Sequence, residues 1–149
     1  MLESKPNQEK TIDQLNSFLR GELSAVETYD QALAKLQDFP QRSTLQQCER
    51  SHAERARLLA EEVRRLGGEP SDSAGVWGAF AKAVEGTAAA LGTKAAIAAL
   101  EEGEDHGRDD YKRDLDKLEL TSRTVIESRI LPEQLRTHRA ISDLKKTLS

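Results

Sequence analysis

Leu45-Gln46-Gln47-Cys48-Glu49-Arg50-Ser51-His52-Ala53-Glu54-Arg55-Ala56-Arg57-Leu58-Leu59-Ala60-Glu61-Glu62-Val63-Arg64-Arg65-Leu66 is the stretch whose reading decides the fold. Counting back from Leu66 in alternating steps of three and four reaches Val63, Leu59, Ala56, His52, Glu49 and Leu45, the spacing of one face of an α-helix. His52 and Glu49 therefore stand on an apolar seam where a bundle core would take leucine. An unpaired buried charge is costly, so each needs a partner or a metal. A Glu-x-x-His step on an inward helix face is also an element from which di-iron and di-manganese sites are built in four-helix bundles.

Around this stretch the composition favours helix. The chain has 149 residues, the length of one domain, with 4 % aromatics and an abundance of Ala, Leu, Glu, Lys, Arg and Gln. The net charge is −4 with both signs interspersed, and no basic stripe carries aromatics, which argues against a nucleic-acid partner. No apolar run approaches the ~20 residues of a membrane span, and Met1 to Lys10 has no apolar signal region. Cys48 is the single cysteine, which excludes an internal disulfide and a Cys-rich zinc site. These features predict a cytoplasmic chain with no membrane partner.

The predicted organisation is a flexible arm over residues 1–9 and one bundle domain over 10–149. Thr11 with Gln14 reads as a capping box opening the first helix. Its seam is Ile12, Leu15, Leu19, Glu22, Val26, Tyr29, Leu33 and Leu36. Asp38-Phe39-Pro40 supplies a turn, and the second helix runs from about Pro40 to Leu66, stopped by Gly67-Gly68 with Pro70 beyond. A connector over 67–92 carries a short apolar helix from Val76 to Leu91, with Trp77 and Phe80 as core. A third helix, about Lys94 to Leu118, has the seam Ile97, Leu100, Glu104, Gly107, Tyr111, Leu115 and Leu118. After a break near Leu120-Thr121-Ser122 a fourth runs to Leu148, with Pro132 imposing a kink or a one-residue interruption. So long a connector exceeds what an antiparallel turn needs. It makes helices two and three parallel, giving an all-α, antiparallel four-helix bundle with a helical crossover.

The seams place Glu22, Glu49, His52 and Glu104 inward on three helices, and the fourth offers Gln134 and His138 on one face. Counted from the turns, these residues fall within about two helical turns of one another at ~1.5 Å per residue. Carboxylates can bridge two cations, and neutral imidazole suits iron, manganese or zinc. Tyr29 and Tyr111, also on seams, are placed to orient carboxylates.

Several motifs carry a resemblance. Gly21-Glu22-Leu23-Ser24-Ala25 with Tyr29, and Glu49-Arg50-Ser51-His52-Ala53-Glu54, resemble the first- and second-helix patterns of rubrerythrins and bacterioferritins, and Gly103-Glu104 their third. Over most of its length the chain is similar to bacterial ferritin-like bundle domains of unassigned function, through Arg64-Arg65-Leu66-Gly67-Gly68-Glu69-Pro70, Gly103-Glu104-Asp105-His106 and Leu131-Pro132-Glu133-Gln134 with Thr137-His138. The resemblance implies a ferritin-like fold, iron or manganese as cofactor, and metal ligands at Glu22, Glu49, His52, Glu104 and His138. Two departures stand against it, and the first is Gly107, which stands where rubrerythrins place another carboxylate. The second is Leu135, three residues before His138, which replaces the bridging Glu of a second Glu-x-x-His, leaving Glu27, Glu101 or Gln134 to complete a site.

Two function classes follow. One is a metal protein acting on peroxide, oxygen or Fe(II). The other is a metal-free bundle with a structural or protein-interaction role, its metal site degenerate. A homodimer through helix faces is compatible with both. No activated Ser or Cys and no phosphate-binding Gly-rich loop supports other chemistry.

Overall fold

The computed structural model describes residues 4–74 and 92–148. Among the described residues there are four long helical runs and no strand, the all-α bundle that the composition and periodicity predict. They are α1 (Ser4–Lys35), α2 (Arg42–Arg65), α3 (Thr93–Asp114), and a last run made of α4 (Leu120–Val125), a π-turn (Ile126–Ile130) and α5 (Leu131–Thr147). A single 3₁₀ turn, Leu115–Lys117, follows α3. The short helix expected between Val76 and Leu91, with Trp77 and Phe80, lies outside the described residues.

The start of α1 differs from the expectation. The helix begins at Ser4, so Thr11 is an interior residue and no capping box opens there. Thr11 is fully buried, and its hydroxyl accepts the backbone N–H of Glu119 at 2.9 Å, tying α1 to the start of α4. Gln8 donates from Nε2 to the carbonyl of Leu66 at 2.7 Å, satisfying a group freed at the end of α2. Tertiary contacts of this kind extend a helix through a stretch whose composition alone suggests an arm.

The turn between α1 and α2 is closed by Arg42, whose Nη1 donates to the carbonyls of Leu33 (2.6 Å) and Leu36 (2.9 Å) at the end of α1. At the end of α2, Gly67 takes φ +85° and the N–H of Gly68 reaches the carbonyl of Val63 at 2.9 Å. A Cβ on Gly68 would stand 2.8 Å from Cγ2 of Ile12, so the chain passes α1 where only glycine fits. Beyond it, Asn16 brackets the connector, donating to the Glu69 carbonyl (3.0 Å) and accepting the Ser71 N–H (2.8 Å).

Helix directions follow from the cross-links. Tyr111 bonds Glu22, and Tyr29 bonds Glu104, so α1 and α3 run antiparallel. The tight turn makes α1 and α2 antiparallel too, hence α2 and α3 are parallel, as the long connector predicts. Within the last run, the N–H of Leu131 bonds the carbonyl of Ile126, five residues back. That wider turn lies immediately before Pro132, which has no N–H to give and whose ring crowds the preceding turn. The predicted one-residue interruption therefore takes the form of a π-turn, after which Gln134, Thr137, Ile141 and Leu144 face inward.

The core is divided. One apolar cluster, including Leu33, Leu36, Leu45, Ile97, Leu100 and Ile141, fills the end nearest the α1–α2 turn. A second, including Leu15, Leu19, Leu59, Val63, Ile126 and Ile130, fills the other end. Each fully buried aliphatic side chain contributes about 1.5–3 kcal/mol, so these two clusters hold the fold. The residues between them are polar.

Candidate functional site

The polar layer is built by two side chains from each helical run. α1 gives Glu22 and Tyr29, α2 gives His52 and Arg55, α3 gives Glu104 and Tyr111, and α5 gives Gln134 and Thr137. All eight are buried. His52 stands at the centre. Its Nδ1 lies 2.5 Å from Oε1 of Glu22, and its Nε2 lies 2.8 Å from Oε2 of Glu104. Both ring nitrogens face carboxylates, which accept and do not donate, so both carry protons and His52 is an imidazolium. Tyr111 donates to Oε2 of Glu22 at 2.5 Å, and Tyr29 donates to Oε2 of Glu104 at 2.5 Å. The other Glu104 oxygen accepts from Thr137 (2.8 Å) and from Nε2 of Gln134 (3.0 Å).

Arg55 completes the layer. It is 1 % exposed, and its Nη1 donates to Oε1 of Gln134 at 2.5 Å while lying 3.7 Å from Oε2 of Glu22. Its Nη2 donates to the Thr137 hydroxyl at 3.0 Å. Two carboxylates, one imidazolium and one guanidinium sum to zero charge. A buried network of this kind is tolerated when every member is satisfied.

Electrostatics follow from these contacts. Burial alone would raise the Glu104 carboxyl, but the charge of His52, its hydrogen bond and that of Tyr29 bring it down to about 2. Burial likewise opposes ionisation of Glu22, and Arg55 and His52 outweigh it and hold its carboxyl below the usual range. Burial disfavours the His52 imidazolium, yet the two carboxylates beside it raise its pKa. Burial and a neighbouring carboxylate push both Tyr29 and Tyr111 well above the ordinary phenol value. The Cys48 thiol, one turn before His52, is pushed up to about 12, chiefly by burial, and is not a nucleophile at neutral pH.

The layer has a hidden repeat. Gly21-Glu22 with Tyr29 on α1 and Gly103-Glu104 with Tyr111 on α3 share one pattern, Gly-Glu followed by Tyr seven residues after the Glu. The two copies are antiparallel and exchange their Tyr–Glu bonds, a pseudo-two-fold arrangement about His52. The three-residue match between the two helices, at the same spacing, was the available sequence signal for it.

Of the residues expected at a site, Glu22, His52 and Glu104 come together. Glu49 and His138 do not join them. Glu49 and Arg55 flank His52 by about 60° on opposite sides of the helix. α2 buries the Arg55 side, with Cys48, Ser51, Leu58 and Glu62 facing in, and leaves Glu49 half-buried at the edge. His138 is half-buried outside the layer, where its Nε2 bonds Asp105 and lies 3.3 Å from Nη1 of Arg108. Glu27 is exposed, and Glu101 pairs with Lys145 at 2.9 Å. Gln134 does enter, with Thr137 rather than His138 as its companion.

This donor set does not fit a resident iron or manganese pair. Among the described residues no group of three or more His, Cys, Asp or Glu is arranged to hold a metal ion. Both nitrogens of His52 are engaged by carboxylates, so a metal would first have to displace a ring proton, and the Arg55 guanidinium, which has no lone pair to give, sits in the layer. A cavity of about 340 Å³ between α1 and α3 has Glu22, His52 and Glu104 in its wall. Among the described residues no helix is long and apolar enough to cross a membrane.

No curated protein and no solved structure matches the chain. A family model described as "Domain of unknown function (DUF2383)" matches residues 10–117. That span takes in Glu22, Tyr29, His52, Arg55, Glu104 and Tyr111 and stops before α4 and α5. Since it covers most of the sequence, the chain belongs to the DUF2383 family.

Proposed function

We propose that this protein is a ferritin-like bundle domain that works without a metal, as a structural and protein-interaction module whose central layer is neutralised by its own cations. The observation that carries this reading is His52, held by both ring nitrogens between Glu22 and Glu104 with Arg55 beside them. In ferritin-like carboxylate proteins two helices each give a Glu, and the other two each give Glu-x-x-His. Here Glu22 and Glu104 hold the first two roles. Glu49-x-x-His52 is one remaining step, and Gln134-x-x-Thr137 stands in place of the second. The metal charges of that plan correspond to the imidazolium and the guanidinium. With each carboxylate oxygen of Glu22 and Glu104 accepting from a protein donor, its role is to fix helix order and register, the best-attested use of buried polar groups. Recognition then falls to the surface.

The test is metal content. Protein purified without chelator, then dialysed against Fe(II) or Mn(II) under anaerobic conditions, is expected to retain well under about one ion per chain. Its melting temperature is expected to be the same with and without chelator. Retention of about one or two ions per chain, lost in Glu22→Gln, would return the layer to oxygen, peroxide or Fe(II) chemistry.

A further inference from the structure

We propose that Arg55, with the uncharged amide of Gln134 as its partner, is the residue that closes this layer to divalent cations. The inference rests on the metal-independent reading above and goes beyond it by naming the group responsible.

The two protein cations in the layer are not equivalent. His52 is charged only while protonated. A metal approaching Glu22 and Glu104 could displace that proton, and the neutral ring would then become a ligand. Arg55 offers no such exit, because a guanidinium keeps its charge and has no lone pair to give. It is 1 % exposed, so it cannot swing into solvent without leaving a void beneath α2. Its position is fixed by bonds to Gln134 (2.5 Å), Thr137 (3.0 Å) and the Ser51 carbonyl (3.3 Å). From there it stands 3.7 Å from Oε2 of Glu22, occupying the approach to that oxygen with a charge of the sign a metal would bring.

Gln134 is the complementary half. Its amide is used at both ends, with Oε1 accepting from Arg55 and Nε2 donating to the side chain (3.0 Å) and backbone carbonyl (2.9 Å) of Glu104. A carboxylate at 134 could accept from Arg55 but could not donate to Glu104. The amide lets α5 bridge a guanidinium and a carboxylate without adding charge. Removing the guanidinium and adding a carboxylate at 134 changes the local balance by two negative charges, which is what a divalent ion would neutralise.

The experiment compares the unaltered protein with Arg55→Met, which keeps the stem, and with Arg55→Met/Gln134→Glu. Uptake of Co(II) is followed by dialysis and by visible absorption, and folding by far-ultraviolet circular dichroism. The unaltered protein is expected to take up no Co(II). The double variant is expected to bind about one per chain, at least about tenfold more tightly than Arg55→Met, and to lose it when Glu22→Gln is added. Should the double variant be unfolded without metal, Co(II)-dependent recovery of helix counts for the proposal, and no recovery counts against it. A folded double variant that takes up no more Co(II) than the unaltered protein overturns the role of Arg55 and leaves the metal-independent reading standing. Co(II) uptake by the unaltered protein that Glu22→Gln abolishes overturns both.

Discussion

The hydroxyl of Tyr111 donates a 2.5 Å hydrogen bond to Oε2 of Glu22, across the same antiparallel helix pair in which Tyr29 does the same for Glu104. The two bonds are reciprocal. Each α1 or α3 helix supplies one carboxylate and, two turns on, the phenol that serves the other helix's carboxylate. A phenol is a neutral donor, so it stabilises a buried carboxylate without changing the charge balance that His52 and Arg55 set. Together the bonds lock the axial register of α1 against α3, because a slip of one turn would separate both pairs at once.

Tyr29→Phe and Tyr111→Phe each remove one donor to a charged group and change little else. Each is expected to cost about 1.5–3 kcal/mol in urea denaturation. Because each deletion also leaves His52 more dependent on the remaining bonds, the double variant is expected to depart from additivity by about 0.5 kcal/mol or more. Two additive losses, or a loss at one tyrosine only, would mean that the phenols act independently of the central imidazolium.

His52→Leu is expected to be more damaging than either. It removes the charge between two buried carboxylates and strands an acceptor on each, which places the cost at about 3–5 kcal/mol. The variant should also raise the carboxyl pKa values it leaves behind, so its stability should improve as the pH is lowered toward 5. A loss no larger than that of an ordinary core truncation, with unchanged pH dependence, would show that His52 is neutral in the folded protein.

Glu22, His52, Glu104, Tyr29 and Tyr111 were legible in the sequence because each interrupts or extends a three-four seam, and seams follow from helix geometry alone. Arg55 was not. Arginine on a long amphipathic helix is ordinarily solvated, and Arg55 enters only because α2 is rotated toward α5, which no single-helix pattern encodes. The same rotation moves Glu49 to the edge. On the last run a π-turn precedes Pro132, and beyond it Thr137 rather than His138 faces Glu104, a choice set by how the helix packs and not by its residue spacing. The start of α1 was hidden for a related reason. The contacts of Gln8 and Thr11 with α2 and α4 are tertiary, and composition carries no trace of them.

The pH dependence of stability follows from the two opposite shifts. Glu104, depressed to about 2, and Glu22, also depressed, are favoured in the ionised state by folding. Their contribution is present above the ordinary carboxyl value of 4.5 and is lost as pH falls toward 2. His52 is raised from 6.5, so its contribution is full below 6.5 and is lost as pH rises through its folded value. The groups facing it are Glu22 from α1, Glu104 from α3 and Arg55 from its own helix, with the uncharged Gln134 and Thr137 on α5. The melting temperature is expected to peak between about pH 5 and 6.5 and to decline on both sides. His52→Leu should remove the decline through the folded value of His52 and leave only the fall above about pH 5 that its raised carboxyls impose. A profile that keeps rising through pH 8 would contradict the imidazolium assignment.

Gly107 tests how tightly the layer is packed. A Cβ there would lie 2.9 Å from Nε2 of Gln134, within the distance at which something must shift. The end of a glutamine is ordinarily able to give way. This one is held by Arg55 on one side and by two groups of Glu104 on the other, so moving it breaks bonds inside a buried network. Alanine in mid-helix would gain up to about 1 kcal/mol over glycine from propensity alone. Against that stands the disturbance of buried bonds to charged groups, worth about 1.5–3 kcal/mol each. Gly107→Ala is therefore expected to be net destabilising by about 1–2 kcal/mol. Pairing it with Gln134→Ala, which removes the clashing amide, should recover the propensity gain, so that Gly107→Ala is stabilising in that background. Stabilisation of the unaltered protein by Gly107→Ala would mean that Gln134 yields freely, and that the amide does not hold Arg55 in place.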